Sequence, residues 1–423
     1  MTTIFSLYAS GYKISLRNIL TGQLPVQKTG ILVVDSLPKG ADISLNRQFR
    51  GLFFDSEIFK NKKLKTPSKI KGLLPGDYIL SLDLDGYWPW QQKVSIYPGI
   101  SSYVENIVLF KRNLPVIFLE SLIQNISLDP SGQKIILEEE KSLVDLNTGQ
   151  KIDLGGSVEK INFLDSKRII LDDYLLFDYS KNKYIDLFDG QTNISRVKLK
   201  GDYLFYLQAG LKSINLFNQK NDEIFSLPDL IDYDFYNGYY FLLTENNNGV
   251  FLKIYSYRQK EFIREFSLPS GGDYEIISQG SSSSFVYIYD KKFKNIYIAN
   301  TLSKFNNFWA VINNVNGFSF VNRNNFVYFS DFEIYAFDVS LSESFLISRF
   351  DNKIKNLIWH PKNYIIYSND KDIAILDLQH DGNSFNLVTL DEISNMVLDK
   401  MGSIIYFTGK INDQTGLYKL FIR

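Results

Sequence analysis

Two histidines, His360 and His380, are the whole stock of imidazole in this 423-residue chain, and cysteine is absent. Thiolate nucleophiles, disulfides and thiolate metal or iron–sulfur sites are thereby excluded, and general-base or metal chemistry has little to work with. Trp359-His360-Pro361 puts the first histidine at the end of an apolar run, where it reads as a turn residue before it reads as a functional one. His380, in Gln379-His380-Asp381-Gly382, falls at a solvated hairpin. Two acidic clusters, Glu138-Glu139-Glu140 and Asp172-Asp173, stand at strand ends. They are either solvated strand ends or the lining of a channel mouth that would attract a cation. Asp129-Pro130-Ser131-Gly132 lacks the alternating Asp/Asn and terminal Glu of a calcium loop and reads as a β-turn. Nucleophile-elbow, zincin, phosphate-loop and dinucleotide-binding patterns are missing. Trp88 and Trp90, in Gly86-Tyr87-Trp88-Pro89-Trp90, read as core or interface packing ahead of sugar or peptide stacking. No catalytic residue, cofactor-binding residue or metal ligand is therefore assigned, and no cofactor is expected.

Composition describes the elements that must carry these residues. Hydrophobic residues make up 45% and aromatics 15%, with 27 Tyr and 33 Phe, a bias toward strand formers. Lys+Arg is 46 against Asp+Glu 47, so no field of one sign points to nucleic acid. The first 29 residues form a segment apart. Ile4 to Ala9 is apolar but shorter than a membrane span and lacks the basic flank of a signal peptide. It is read as a first strand or frayed end, with the stump of an upstream membrane anchor as the alternative. Residues 22–28 read as a linker because Gly22 and Pro25 interrupt any periodicity.

From residue 113 to the end the chain repeats. Residues 126–154 read strand, turn, strand, strand, turn, strand, and variants recur about every 35–43 residues, the signature of a β-propeller blade. Seven units fall at 122–157, 158–191, 193–229, 230–272, 273–313, 314–352 and 353–392. Residues 246–249 form an extended turn in the fourth, and the fifth matches least well. The remaining 393–423 holds three strands, and 114–119 (LPVIFL) supplies a fourth, closing the ring with a blade built from both ends of the segment. Eight blades are favoured, with seven the alternative. Runs such as Ile135-Ile136-Leu137 and Ile404-Ile405-Tyr406-Phe407 suit sheets covered on both faces. Trp359-His360-Pro361 before Ile365-Ile366-Tyr367 resembles the inner hairpin of Tol-type and WD-repeat propellers, although the Asp-Gly after the Pro and the Trp-Asp and Gly-His dipeptides are missing.

Residues 30–112 read as a small β-sandwich of short strands joined by Gly/Pro turns. Tyr78, Leu80, Leu82 and Leu84 alternate with Ser81, Asp83 and Asp85, a half-buried strand. The order of Gly30-Ile31-Leu32-Val33-Val34, then 36–41 (SLPKGA), Thr66-Pro67, 72–78 (GLLPGDY) and Gly86-Tyr87 resembles the PEGA domain. The resemblance places the family's turns on Pro38, Gly40 and Ala41, on Thr66 and Pro67, on Pro75, Gly76 and Tyr78, and on Gly86 and Tyr87. Lys39 departs from the family's Glu, and 47–65 is a longer, Lys-rich link that reads as a mobile, solvated loop. The resemblance implies an accessory module common on bacterial envelope proteins and thought to mediate binding or anchoring.

The expectation is an all-β, monomeric, non-enzymatic platform of the cell envelope, extracytoplasmic, with membrane anchoring upstream of the chain start kept as the alternative to a plain first strand. It would bind a protein or glycan through the propeller face and the PEGA-like module. The alternatives are a propeller enzyme acting on glycans through carboxylates, and a cytoplasmic protein-interaction propeller.

Overall fold

The computed structural model describes residues 11–14, 26–47, 64–188, 193–278, 284–378 and 384–423. Every regular element among them is a strand. His380 and nearly all of the Lys-rich link lie outside the described residues, as does most of the N-terminal segment.

Tyr12–Ile14 pairs antiparallel with Val26–Lys28, so the end of the expected linker is hydrogen-bonded ribbon instead. The sandwich follows. One sheet holds Ser68–Leu73, Gly30–Leu37 and Ser101–Val108 in that order; the other holds Leu64–Lys65, Asp42–Arg47, Gly76–Asp83 and Trp90–Ile96. The alternation seen in sequence is the alternation of burial: Tyr78, Leu80 and Leu82 are buried and meet Leu32, Val34 and Ile107 of the facing sheet.

Eight four-stranded antiparallel sheets make up the rest of the described residues. They occupy 126–153 (blade 1), 161–186 (blade 2), 195–225 (blade 3), 230–268 (blade 4), 274–312 (blade 5), 317–349 (blade 6) and 356–389 (blade 7). Blade 8 is 392–421 with Val116–Glu120 added as its outermost strand. In blade 4 the expected extended turn is tight: Asn246 pairs with Gly249, leaving two residues between strands of eight.

The unbroken apolar runs have a simple cause. Successive side chains of a strand point to opposite faces, and here each face belongs to a different neighbour. Ile135 and Leu137 pack with Tyr406 and Leu417 of blade 8, while Ile136 between them packs with Ile169 and Phe177 of blade 2. Ile169 and Leu171 face blade 1 while Ile170 faces blade 3; Phe326 and Tyr328 face blade 5 while Val327 and Phe329 face blade 7. Blades 3 and 4, 4 and 5, and 7 and 8 share clusters of the same kind, so the apolar contact runs around the ring and returns to its start. Each buried Leu, Ile or Phe contributes roughly 1.5–3 kcal/mol, and no sheet could cover both faces alone.

The ring is closed by the two ends of the repeat region. Val116 to Glu120 runs antiparallel to the C-terminal strand Gln414–Phe421, with Val116 opposite Lys419 and Glu120 opposite Gly416 and a bulge between Ile117 and Leu119. This pairing covers the edge of the C-terminal strand and completes the four-stranded blade.

Candidate binding site

The inner strands of blades 3, 4 and 5 are Ser195–Lys200, Leu230–Tyr236 and Tyr274–Ile277. Inner strands of neighbouring blades share no backbone ladder, so side chains must join them. Two lysines do this with one geometry. The Lys198 ammonium donates to the Tyr233 carbonyl and the Lys200 ammonium to the Phe235 carbonyl, each 35 residues on. The same ammonium groups lie 5.0 Å from the Tyr233 ring centroid and 4.0 Å from that of Phe235. Lys198 also pairs with Asp232 at 3.3 Å, and the other oxygen of that buried carboxylate accepts the Ile276 amide of blade 5 at 2.7 Å. Glu275 pairs with Lys291 at 2.5 Å and with Arg196 at 3.8 Å. The Tyr233 hydroxyl donates to the Arg196 carbonyl at 2.8 Å. Burial, reinforced by Asp232 and Asp234, pushes the Tyr233 phenol well above its ordinary value, so it stays a donor. Burial draws the Lys200 ammonium below its usual range, with Asp234 opposing.

Two cavities open beside these groups. One, of about 500 Å³, is lined by the ends of the inner strands of blades 2–4, including Phe163, Lys198, Lys200, Asp234 and Tyr236. The other, of about 370 Å³, shares Lys200, Phe235 and Tyr236 and continues past Tyr203, Phe205 and Tyr257. Both are of the size and mixed polarity of small-ligand sites. None of these residues was singled out from sequence. The available signal was alternation of charge within strands expected to be apolar: Arg196, Lys198 and Lys200 against Asp232 and Asp234 one repeat later.

The residues that were singled out have structural work. His360 is fully buried; its Nδ1 accepts the Lys362 amide at 3.1 Å and its Nε2 lies 2.9 Å from the Gly402 carbonyl. A carbonyl only accepts, so Nε2 carries the proton and the ring is neutral. Burial lowers the imidazole further below its ordinary value. His360 stands where the matching turns carry Asp129, Asp165 and Asp399. The Asp129 Oδ1 accepts the Gln133 and Lys134 amides at 2.7 Å each, and the Asp399 Oδ1 accepts those of Ser403 and Ile404. The acidic clusters clamp the entry to inner strands. Glu139 accepts the Gln124 and Asn125 amides, Glu138 the Ser127 hydroxyl, and Asp172 the Glu159 and Lys160 amides. Glu140 pairs with Lys151, and Asp173 with Lys160 at 2.5 Å.

In the sandwich, Thr66 organises the first turn. Its hydroxyl accepts the Gly40 amide at 3.1 Å and the Ala41 amide at 3.0 Å and lies 2.7 Å from that of Ser36, whose Oγ also bonds the Pro38 carbonyl. Gly40 sits at φ 95°, a region closed to most side chains, and Pro67 follows Thr66 directly. At the second turn Arg47 donates to the Pro75 carbonyl and Tyr78 to that of Leu74, while Gly76 takes φ 141°. Gly86, at φ 79°, accepts the Arg112 amide, and Tyr87 bridges to Lys111.

Trp88 and Trp90 lie where the sandwich meets the propeller. The Trp90 Nε1 donates to Asp377 of blade 7 at 3.1 Å, and the Val108 amide donates to the Tyr364 hydroxyl at 3.0 Å. Phe110, fully buried, meets Tyr364, His360 and Phe385 edge-on or tilted at 5.1–5.7 Å. The Lys111 amide reaches the Ile422 carbonyl, and Arg112 lies over Trp88.

Residues 29–107 match the family model of the PEGA domain. Among solved structures, the Dos1 propeller is similar at 13% identity over 74% of this chain and 96% of that one, with a TM-score of 0.51. The WD40 domain of Neurospora crassa Pan2 is similar at 10% identity over 70% of this chain and 88% of that one, with a TM-score of 0.40. No curated protein matches the chain. The chain thus joins a PEGA domain to a β-propeller.

Proposed function

We propose that the chain is a non-enzymatic binding platform of the cell envelope, with the propeller as the ligand-bearing body and the PEGA domain fixed to it. The observation that carries the reading is the seat between them. Phe110, Trp90 and Val108 lock the sandwich onto blade 7 through buried rings and two hydrogen bonds, which suits a fixed relative presentation of two surfaces. Several groups singled out as candidates serve structure: His360 is buried and neutral, and Asp129, like Asp399, holds a turn. The PEGA match supports an extracytoplasmic setting, and no helix of the described residues is long and apolar enough to cross a membrane. Propeller folds present loops and channel mouths on a rigid ring, which supports a protein as the ligand.

The test is affinity capture with the full chain from envelope fractions, followed by direct titration of the purified partner, alongside turnover assays on a polysaccharide panel. Saturable binding without product is the expected outcome. Glycan turnover abolished by one carboxylate substitution would instead establish a propeller enzyme.

A further inference from the structure

We propose that the joined cavities of blades 3 and 4 take a segment of a partner protein in which a carboxylate side chain neighbours an aromatic or long aliphatic one. This rests on the platform reading and names its ligand class. Lys200 stands where the two cavities meet. An ammonium has three donors, and one goes to the Phe235 carbonyl. Lys198, two residues away, has Asp232 for an ion pair, but among the described residues no carboxylate lies within 4.0 Å of the Lys200 ammonium. Lys200 is exposed, so the site offers an accessible cation beside open space, with Asp234 elsewhere in the lining, and an incoming carboxylate forms the charge-assisted bond it lacks.

The smaller cavity defines what sits next to that carboxylate. Tyr203 and Tyr257 are each less than half exposed, and Phe205 and Phe235 form the floor. Tyr257 lies tilted at 6.4 Å from Phe235 and stacks at 4.9 Å on Tyr240, which holds the wall rigid. Phenylalanine rings have no polar handle, so a side chain of hydrocarbon character gains from this surface. A uronic-acid glycan also carries carboxylates. Its several hydroxyls per ring would have to share the few polar side chains beside the Phe205 and Phe235 floor, Tyr203, Asn237 and Tyr257, so the peptide is favoured.

The full chain is titrated calorimetrically with acetyl-Ser-Asp-Phe-Asp-Ser-amide, with its Asn-for-Asp and Ser-for-Phe analogues, and with tetragalacturonate. The acidic aromatic peptide should bind at least tenfold more tightly than either analogue. Lys200→Met, which keeps the stem that packs on Phe235, and Tyr257→Ser should each weaken it tenfold or more. Phe217→Ser, on an exposed turn of blade 3, should leave affinity unchanged. Matching melting curves certify the variants as folded. Equal binding of the Asp and Asn peptides, an unaffected Lys200→Met, absence of peptide binding at millimolar concentration, or tighter binding of tetragalacturonate each overturns the proposal. Should Lys200→Met capture the partner from envelope fractions as well as the parent does, the cavity assignment falls and the platform stands. Should neither protein capture one, the platform reading falls first.

Discussion

Replacing Gly416 by alanine tests the closure of the ring. Gly416 sits opposite Glu120 at the bulged end of the pairing between Val116–Glu120 and the C-terminal strand. A Cβ there would lie 2.5 Å from the Leu119 carbonyl oxygen and 3.1 Å from the Ile117 Cδ1. The first contact is about 1 Å short of van der Waals separation, and its partner is backbone that cannot swing aside. The outer strand must withdraw. Withdrawal costs the ladder bond nearest Gly416 and the Ser121 amide bond to the Thr415 carbonyl, now 3.3 Å. Two such bonds are worth about 0.5–1.5 kcal/mol each. Loosening half-buried Ile117 and Leu119 brings the total to about 3 kcal/mol. At 1.4 kcal/mol per decade, amide protection at Val116–Glu120 should fall about a hundredfold. Hydrogen exchange read by mass spectrometry measures this, with blade 4 as internal standard. Gly156→Ala is the control, because its Cβ would meet nothing within 4 Å. Unchanged protection at Val116–Glu120 in the Gly416 variant would show that the ends do not hold the ring shut, and the reasoning would fail.

Stability should also fall on mild acidification. The folded state depresses the His360 pKa below its unfolded value near 6.5, so the unfolded chain binds more protons, and the stabilisation present above that pH is lost as pH falls toward the folded value. Urea unfolding between pH 7 and 5 should show this slope, and His360→Gln should flatten it; an equal slope in the variant refutes the assignment. Trp90→Phe should cost about 1.5–3 kcal/mol at the seat by removing the bond to the Asp377 carboxylate, read as faster exchange of the Val108 and Lys111 amides. Unaltered exchange there would mean that the Trp90 bond does not help to seat the sandwich.

The architecture was legible because two-sided burial and turn chemistry both write themselves into local sequence. Ile135-Ile136-Leu137 carries no alternation, and that absence is itself the mark of a strand with a neighbour on each face. The closing strand was legible for a different reason: three strands at the end and one unpartnered at the start leave one arrangement that completes a four-stranded blade. The end of the linker was misread because the three residues Val26–Lys28 are too short to show a period, and their pairing with Tyr12–Ile14 is set by tertiary context. The tight turn of blade 4 was misread because three successive asparagines resemble a loop, although Asn246 belongs to the strand.

The site escaped notice because its residues gain meaning only across blades. Lys198 next to Val197 and Leu199 is an ordinary strand pattern, and Asp232 next to Tyr233 another. Their significance lies in a 35-residue offset that sets the Lys198 ammonium against the Tyr233 carbonyl and the Lys200 ammonium against that of Phe235. Joining inner strands does not by itself require charge. Elsewhere the task is shared between neutral groups, such as the Asn356 amide on the Ser394 carbonyl at 3.2 Å and the Ser319 hydroxyl under the Trp359 amide at 3.1 Å, and one further lysine, Lys355, whose ammonium reaches the Ile393 carbonyl at 3.4 Å. Buried ion pairs are often no more stabilising than well-packed apolar side chains of similar volume. A fold that needed only a staple between blades 3 and 4 could have used neutral groups there too. It carries instead a buried carboxylate at Asp232 and, at Lys200, an exposed ammonium that lines a cavity. That arrangement is what the proposed recognition of an anionic group requires.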